Sequence, residues 1–403
     1  MSKARRTIRL TALLASLGLT TGCQALVRWP SLPVGPTAEP QWEQGPRRSV
    51  AVLVPAAETP ASEPPPTYRY LTVEHCRRLA FEAAPLANLL TAIAPHSPNH
   101  PGHRSDATVR WGCLIRAYAA DELRNRHIAE TLSDYYRLAA LEAQYDIGRQ
   151  AEHLLQEQIQ IQQRAVQQGI GTPQELQALQ RQLLEIRAQL AQLSAARVAL
   201  NAALAQRLDL SEADPPLWPD VTLQLDPRDI DPAAALATAQ LYRPDLNLLR
   251  LLTQADLRLI PTAQALLQSI HPLLGTETQP SPLAVLLAEL RKAPTGDEKR
   301  WQMHLAAVLE ARQRQVAGEV RTAIALRQGR RTLVQARQAQ AEHWRQQRDE
   351  LEKRQAAGQA VTRELLTARL ELLRAQAAVL EALTDWYLAD IQLRQALGLL
   401  VRD

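Results

Sequence analysis

The chain repeats itself, and this repetition restricts its possible folds more than any other feature. Slid along itself until Gly169 lies on Gly358, the sequence also lays Glu175 on Glu364, Leu176 on Leu365, Leu183 on Leu372 and Leu204 on Leu393. A second block repeats at a shorter displacement, where Pro85-Leu-Ala-Asn-Leu-Leu90 faces Pro244-Asp-Leu-Asn-Leu-Leu249. Both blocks occur in the same order, so one supersecondary unit has been duplicated. The change of displacement means that the second copy carries a longer stretch between its blocks. Resemblance by chance between Leu- and Ala-rich helices would not match glycine, proline and acidic positions together.

The repeated unit reads as helix. No proline falls between Pro101 and Pro173, between Pro173 and Pro215, or after Pro294. Long helices need such gaps, because an interior proline removes a hydrogen bond and clashes with the preceding turn. Leu176, Leu179, Leu183, Ile186, Leu190, Leu193, Leu200 and Leu204 alternate three- and four-residue steps, interrupted only at Arg197. That is a coiled-coil seam. Upstream, Asp121 to Gln168 is long enough for a helix of about 72 Å. The two join at Gly169-Ile-Gly-Thr-Pro173, where Gly171 ends one helix, Thr172 caps the next and Pro173 takes its first position. A single Phe and 4% aromatics, with abundant Ala, Leu, Gln, Arg and Glu, suit long helices better than globular cores. The expected fold class is all-α: long antiparallel coiled-coil hairpins in two tandem repeats, residues 71–210 and 230–403, joined by a linker at 211–229.

Residues 1–22 read as an export signal. Lys3, Arg5, Arg6 and Arg9 precede the apolar run Leu10 to Leu19, and Thr20-Thr-Gly22 leads into Cys23. The junction resembles a lipoprotein cleavage box, although Thr20 stands where a leucine is usual, and the expectation is that Cys23 is acylated as the new N-terminus; a plain secretory signal or an uncleaved anchor is the alternative. Residues 23–70, rich in proline, read as an extended spacer. Losing the signal removes four of the 46 basic residues against 42 acidic ones, leaving no net charge and no case for nucleic acid. No other stretch approaches the ~18 apolar residues of a spanning helix. In an oxidising compartment Cys76 and Cys113 could pair, or remain as two half-buried thiols.

In their order, the repeated blocks resemble the TolC-type outer-membrane efflux factors, a family that is itself an internal duplication. Tyr242-Arg-Pro-Asp-Leu246 resembles the opening of a repeat, and Leu71-Thr-Val-Glu74 with Ala80 and Pro85 resembles the other opening. Asp385-Trp-Tyr-Leu388 and Ala396-Leu-Gly398 resemble the close of the second repeat. The resemblance implies a homotrimer at the outer membrane, its hairpins forming a helical tunnel across the periplasm. It also implies hairpin tips that dock a periplasmic adaptor and an inner-membrane pump, with substrates passing outward unchanged. By motif, Gly169, Ile170 and Gly358 stand at the docking tips, and Glu175 and Glu364 stand where the family has acidic tip residues, some lining the aperture. A carboxylate ring at a constriction favours cations; the plain alternative is a first-turn carboxylate favoured by the helix dipole.

Family members also insert membrane-spanning strands in each repeat. Here only Thr108 to Ile115 alternates as a strand of the first repeat would, and Asp245 to Arg300 contains no aromatic residue for a girdle. Leu283 to Leu290 reads as helix. The expectation is therefore little or no β-barrel. His96, His100 and His103, with His75, Cys76 and Cys113 not far off in sequence, match no tight metal-ligand spacing, and the expectation is no metal and no cofactor. Phosphate-binding loops, dinucleotide turns and nucleophile elbows are missing, so no enzyme is expected. Two non-channel readings stay open: a barrel-less, lipid-anchored periplasmic scaffold that binds partners, and an adaptor-like coiled coil. An adaptor should carry a run of short strands beside its hairpin.

Overall fold

A computed structural model describes residues 42–48, 50, 67–92, 106–211, 214–254 and 298–402. The first repeat contains α1 (Val73–Glu82), α2 (Pro85–Ala92), α3 (Asp106–Gln167) and α4 (Pro173–Arg207). The second contains α5 (Pro232–Tyr242), α6 (Pro244–Thr253), α7 (Glu298–Ala356) and α8 (Thr362–Leu397). At the shorter displacement, the first residues of α1 and α2, Val73 and Pro85, fall on the first residues of α5 and α6, Pro232 and Pro244. At the longer one, Gln167 at the end of α3 falls on Ala356 at the end of α7, and Pro173 falls on Thr362. The two displacements read from the sequence are thus the two helix registers. Helix α3, with 62 residues, extends about 93 Å at 1.5 Å per residue.

The long helices lie side by side in the order α4, α3, α8, α7. The outer two, α4 and α7, stand at opposite edges. Position in this layer decides burial. Helix α8 is flanked on both sides and buries side chains along its whole length, from Leu365 to Leu397. Its counterpart α4 has α3 as the one long helix it lies along, and buries only Leu190, Leu204 and Ala205. The rest of the α4 seam, including Leu179, Leu183, Ile186 and Leu200, is half-buried against the core. Of the short helices, α5 packs on α7 and α8 of its own hairpin, while α6 sits where the two hairpins meet, touching both α3 and α7.

Thr108 to Ile115 is the first part of α3, not a strand. Apolar residues two apart fit a strand, but Trp111, Ile115, Ala119 and Leu123 continue the pattern every four residues and so select a helix. Ile115 is buried with Leu123 against Leu248, Leu249 and Leu252 of α6 and Trp301 of α7. The stretches where inserted strands would fall, 93–105 and 255–297, lie outside the described residues, as does Leu283 to Leu290. Among the described residues the only sheet has three short strands and closes no barrel: β1 (Gln44–Gly45), β2 (Tyr68–Leu71) and β3 (Leu217–Pro219). No described helix is long and apolar enough to cross a membrane.

This sheet takes in part of the proline-rich segment. Strand β1 pairs antiparallel with β2, and β2 pairs parallel with β3, Arg69 opposite Leu217. Residues near Arg47 are therefore strapped onto the first hairpin. Arg47 donates to Glu142 at 2.9 Å and forms an ion pair with Asp146 at 3.0 Å on α3, and lies over the Trp218 ring. Cys76 is a free, fully buried thiol in the same core, so it is not paired with Cys113. Burial pushes its pKa far up, as suits an inert core residue.

Candidate functional site

The first hairpin tip is built by backbone rules. Gly169 sits at φ 77°, in the left-handed region that closes a helix. The amides of Ile170 and Gly171 both donate to the Ala165 carbonyl at 3.0 Å. Thr172 then starts α4 in extended conformation, its hydroxyl accepting from the Glu175 amide at 3.4 Å, and Pro173 follows as the first helical residue. At the apex the apolar side chain of Ile170 is 79% exposed among the described residues.

The second tip has the same turn and a different closure. Gly358 has φ 84°, and the Gln359 amide donates to Arg354 O at 3.1 Å. Val361 replaces the threonine cap and offers no side-chain hydrogen bond. It is buried instead with Leu351, Leu365 and Ala368 in a small apolar cluster. One tip is held by capping, the other by packing.

The two tips touch. Glu175 accepts from Gln162 Nε2 at 2.9 Å within its own hairpin and from Arg363 Nη2 of the other hairpin at 3.1 Å. Glu364, its counterpart by displacement, is exposed and takes part in no such bond. The aligned glutamates therefore occupy equivalent positions with different surroundings. Sequence reading did not single out Gln162 or Arg363. Arg363 precedes Glu364, and only the placement of α4 against the neighbouring hairpin could have drawn attention to it. The Arg363 side chain is 77% exposed and that of Glu175 41%, so the tie stabilises the fold by no more than about 1 kcal/mol. It is a contact that can be released.

At the far end of the long helices, two sequence motifs meet. The Arg243-Pro-Asp245 turn starts α6, and Arg243 grips Asp245 with two bonds of 2.9 and 2.8 Å. Arg312 of α7 adds bonds to Asp245 at 2.9 and 2.8 Å, and both arginines reach Glu319 at 2.7 Å. Asp245 is fully buried, and its pKa lies below the usual value. Burial alone would raise it, but the two arginines outweigh burial. Arg243 also donates to the Ala396 carbonyl at the end of α8 at 3.2 Å. Just beyond, Gly398 has φ 73°, and a Cβ there would come within 2.9 Å of Tyr242 O. The Tyr-Arg-Pro-Asp-Leu opening and the Ala-Leu-Gly close are one joint. Arg312 lies 67 residues from Asp245 and carries no local signal.

Cys23, His96, His100 and His103 lie outside the described residues. His75 stacks on Trp42 at 4.6 Å, and its pKa is lowered by burial and by Arg78. Among the described residues no three potential ligands come together for a metal.

No family model matches the sequence, and no curated protein matches it. Solved structures do match. The CmeC outer membrane channel of Campylobacter jejuni is 13% identical, with 81% of this chain covering 85% of that one at a TM-score of 0.56. A membrane protein from Pseudomonas aeruginosa is 14% identical, with 86% of this chain covering 97% of that one at a TM-score of 0.52. The chain shares the fold of these outer-membrane channel structures.

Proposed function

We propose that this chain is a subunit of an outer-membrane efflux factor whose three copies close into a helical tunnel in the periplasm, passing substrates outward without covalent chemistry. The observation that carries this reading is the open layer of four long helices, whose two edges carry exposed apolar side chains among the described residues. Exposed Leu184 and Val198 on α4 stand fourteen residues apart, and exposed Leu326 and Leu333 on α7 stand seven apart. Each spacing is a whole number of heptads, so both edges carry a second apolar line besides the one packed within the chain. Ring closure sets the α7 edge of one copy against the α4 edge of the next and covers both lines.

In this reading acylated Cys23 anchors each copy at the outer membrane. The tips, with their left-handed glycines and exposed Ile170, dock a periplasmic adaptor joined to an inner-membrane pump. The weak Glu175–Arg363 tie keeps the two tips of one chain together, and a docked partner competing for either group lets them part. Its low worth is what a reversible aperture requires, since about 1 kcal/mol is within reach of a few new contacts.

Cysteine cross-linking tests ring closure directly. A cysteine introduced at Val198 should couple with one at Leu333 between chains, giving dimers and trimers on gels, because at 1.5 Å per residue both stand about 35–38 Å from the level tips. Products confined to single chains would refute the arrangement, because α4 and α7 lie at opposite edges within one copy.

A further inference from the structure

Five ionisable side chains gather where α3 passes the start of α6 and the middle of α7, and their charges do not balance. Arg243 and Arg312 are the cations; Asp245, Glu319 and Glu122 are the anions. The arginines are engaged by Asp245 and Glu319. Glu122, on α3, is only 6% exposed and has no hydrogen bond or ion pair among the described residues. It borders a cleft of about 890 Å³ shared with Asn125, Arg126, Gln315, Glu319 and Gln395, which gives it access to solvent protons.

From this geometry we infer that Glu122 is a proton-binding site that sets how tightly the long helix of the first repeat is clamped to the second. With Glu122 protonated, two cations face two anions, and α3 packs against a neutral joint. With Glu122 ionised, a third buried carboxylate faces the same two arginines without a bond to either, and the contact of α3 with α6 and α7 weakens. A proton suits the site better than a larger cation. Arg243 and Arg312 already stand beside it, and the neighbouring Asn125 Oδ1 is sealed from the cleft.

Burial holds the Glu122 pKa up to about 7; Asp245 and Glu319 add to the rise, and Arg243 and Arg312 oppose it. A carboxyl raised in the folded state contributes stability that is complete below its unfolded pKa near 4.5 and lost as pH rises through about 7. Asp121, raised to about 6 by burial against Arg124 and Arg402, acts with the same sign but finishes earlier. Asp245, lowered, acts with the opposite sign and only at acid pH. Of the other neighbours, Arg126 pairs with Glu130 on α3, and α8 presents Gln392, Gln395 and the Ala396 backbone to the cleft.

Hydrogen exchange on the full chain tests the clamp, followed at amides of 118–126 and 245–253 and corrected for the intrinsic effect of pH. In the wild type the opening constant should rise between pH 5 and 7, approaching tenfold per unit for one proton. Glu122→Gln, which keeps the shape of the protonated acid, should be flat over this range. Asp121→Asn should keep the rise from pH 6 to 7. A flat wild-type profile would overturn the inference, and so would an undiminished rise in Glu122→Gln. Loss of the rise from pH 6 to 7 in Asp121→Asn would overturn it by assigning the proton to Asp121.

Discussion

Arg363 of the second hairpin tip donates to Glu175 of the first across 3.1 Å, joining two turns that are 188 residues apart in sequence. The bond is exposed and single, so its removal should leave the fold almost untouched. Arg363→Ala and Glu175→Gln are expected to keep helicity and to change stability by about 1 kcal/mol or less. In planar bilayers both should raise conductance or leak, since each frees the tips of one chain. Wild-type conductance in both variants would end the idea of a tie across the aperture.

Removing Asp245 should behave quite differently. Its loss leaves Arg243 and Arg312, both buried, with only the part-exposed Glu319 and without the fully buried carboxylate they share. Breaking a buried pair by deleting one partner costs about 3–5 kcal/mol, and Asp245→Ala should show a loss of that size in urea denaturation. Glu319, with a side chain 32% exposed, retains solvent as a substitute partner. Glu319→Gln should cost on the order of 1–2 kcal/mol.

Two left-handed glycines give a matched comparison. A Cβ at Gly169 meets nothing within 4 Å, whereas one at Gly398 runs into the backbone of Tyr242 and Arg243. Gly169→Ala should cost only the left-handed penalty of about 1–2 kcal/mol. Gly398→Ala should cost more, because α8 must also draw back from the arginine–aspartate turn. Thermal midpoints of the two variants should fall in that order, and the reverse order would contradict the joint described for Gly398.

The lipid anchor is tested by chemistry alone. A fatty-acid probe supplied to growing cells should label the wild-type protein and leave Cys23→Ala unlabelled. Equal labelling would dismiss acylation at Cys23.

The hairpins and their registers were legible because helix-breaking prolines, heptad leucines and tip glycines act over a few residues. Position within the layer was not. The α4 and α8 sequences share the same repeat, yet one helix has a single long neighbour and the other has two, which no local pattern records. Trp111 and Ile115 misled for a related reason, since apolar residues two apart suit a strand until Ala119 and Leu123 extend the four-residue spacing. The strap at Arg47 was hidden by its proline-rich surroundings; it is held by Glu142 and Asp146, far along the chain on α3. At the tips, the glycines were found from sequence, but the partner of Glu175 depended on how two hairpins lie together.

The mass of the mature protein, extracted in mild detergent and measured with the detergent contribution removed, tests the central claim most directly. A ring of hairpins predicts three chains per particle, held together in the absence of any adaptor or pump. A single chain per particle, stable and showing no self-association as concentration rises, would contradict the tunnel and leave the hairpins as a monomeric scaffold.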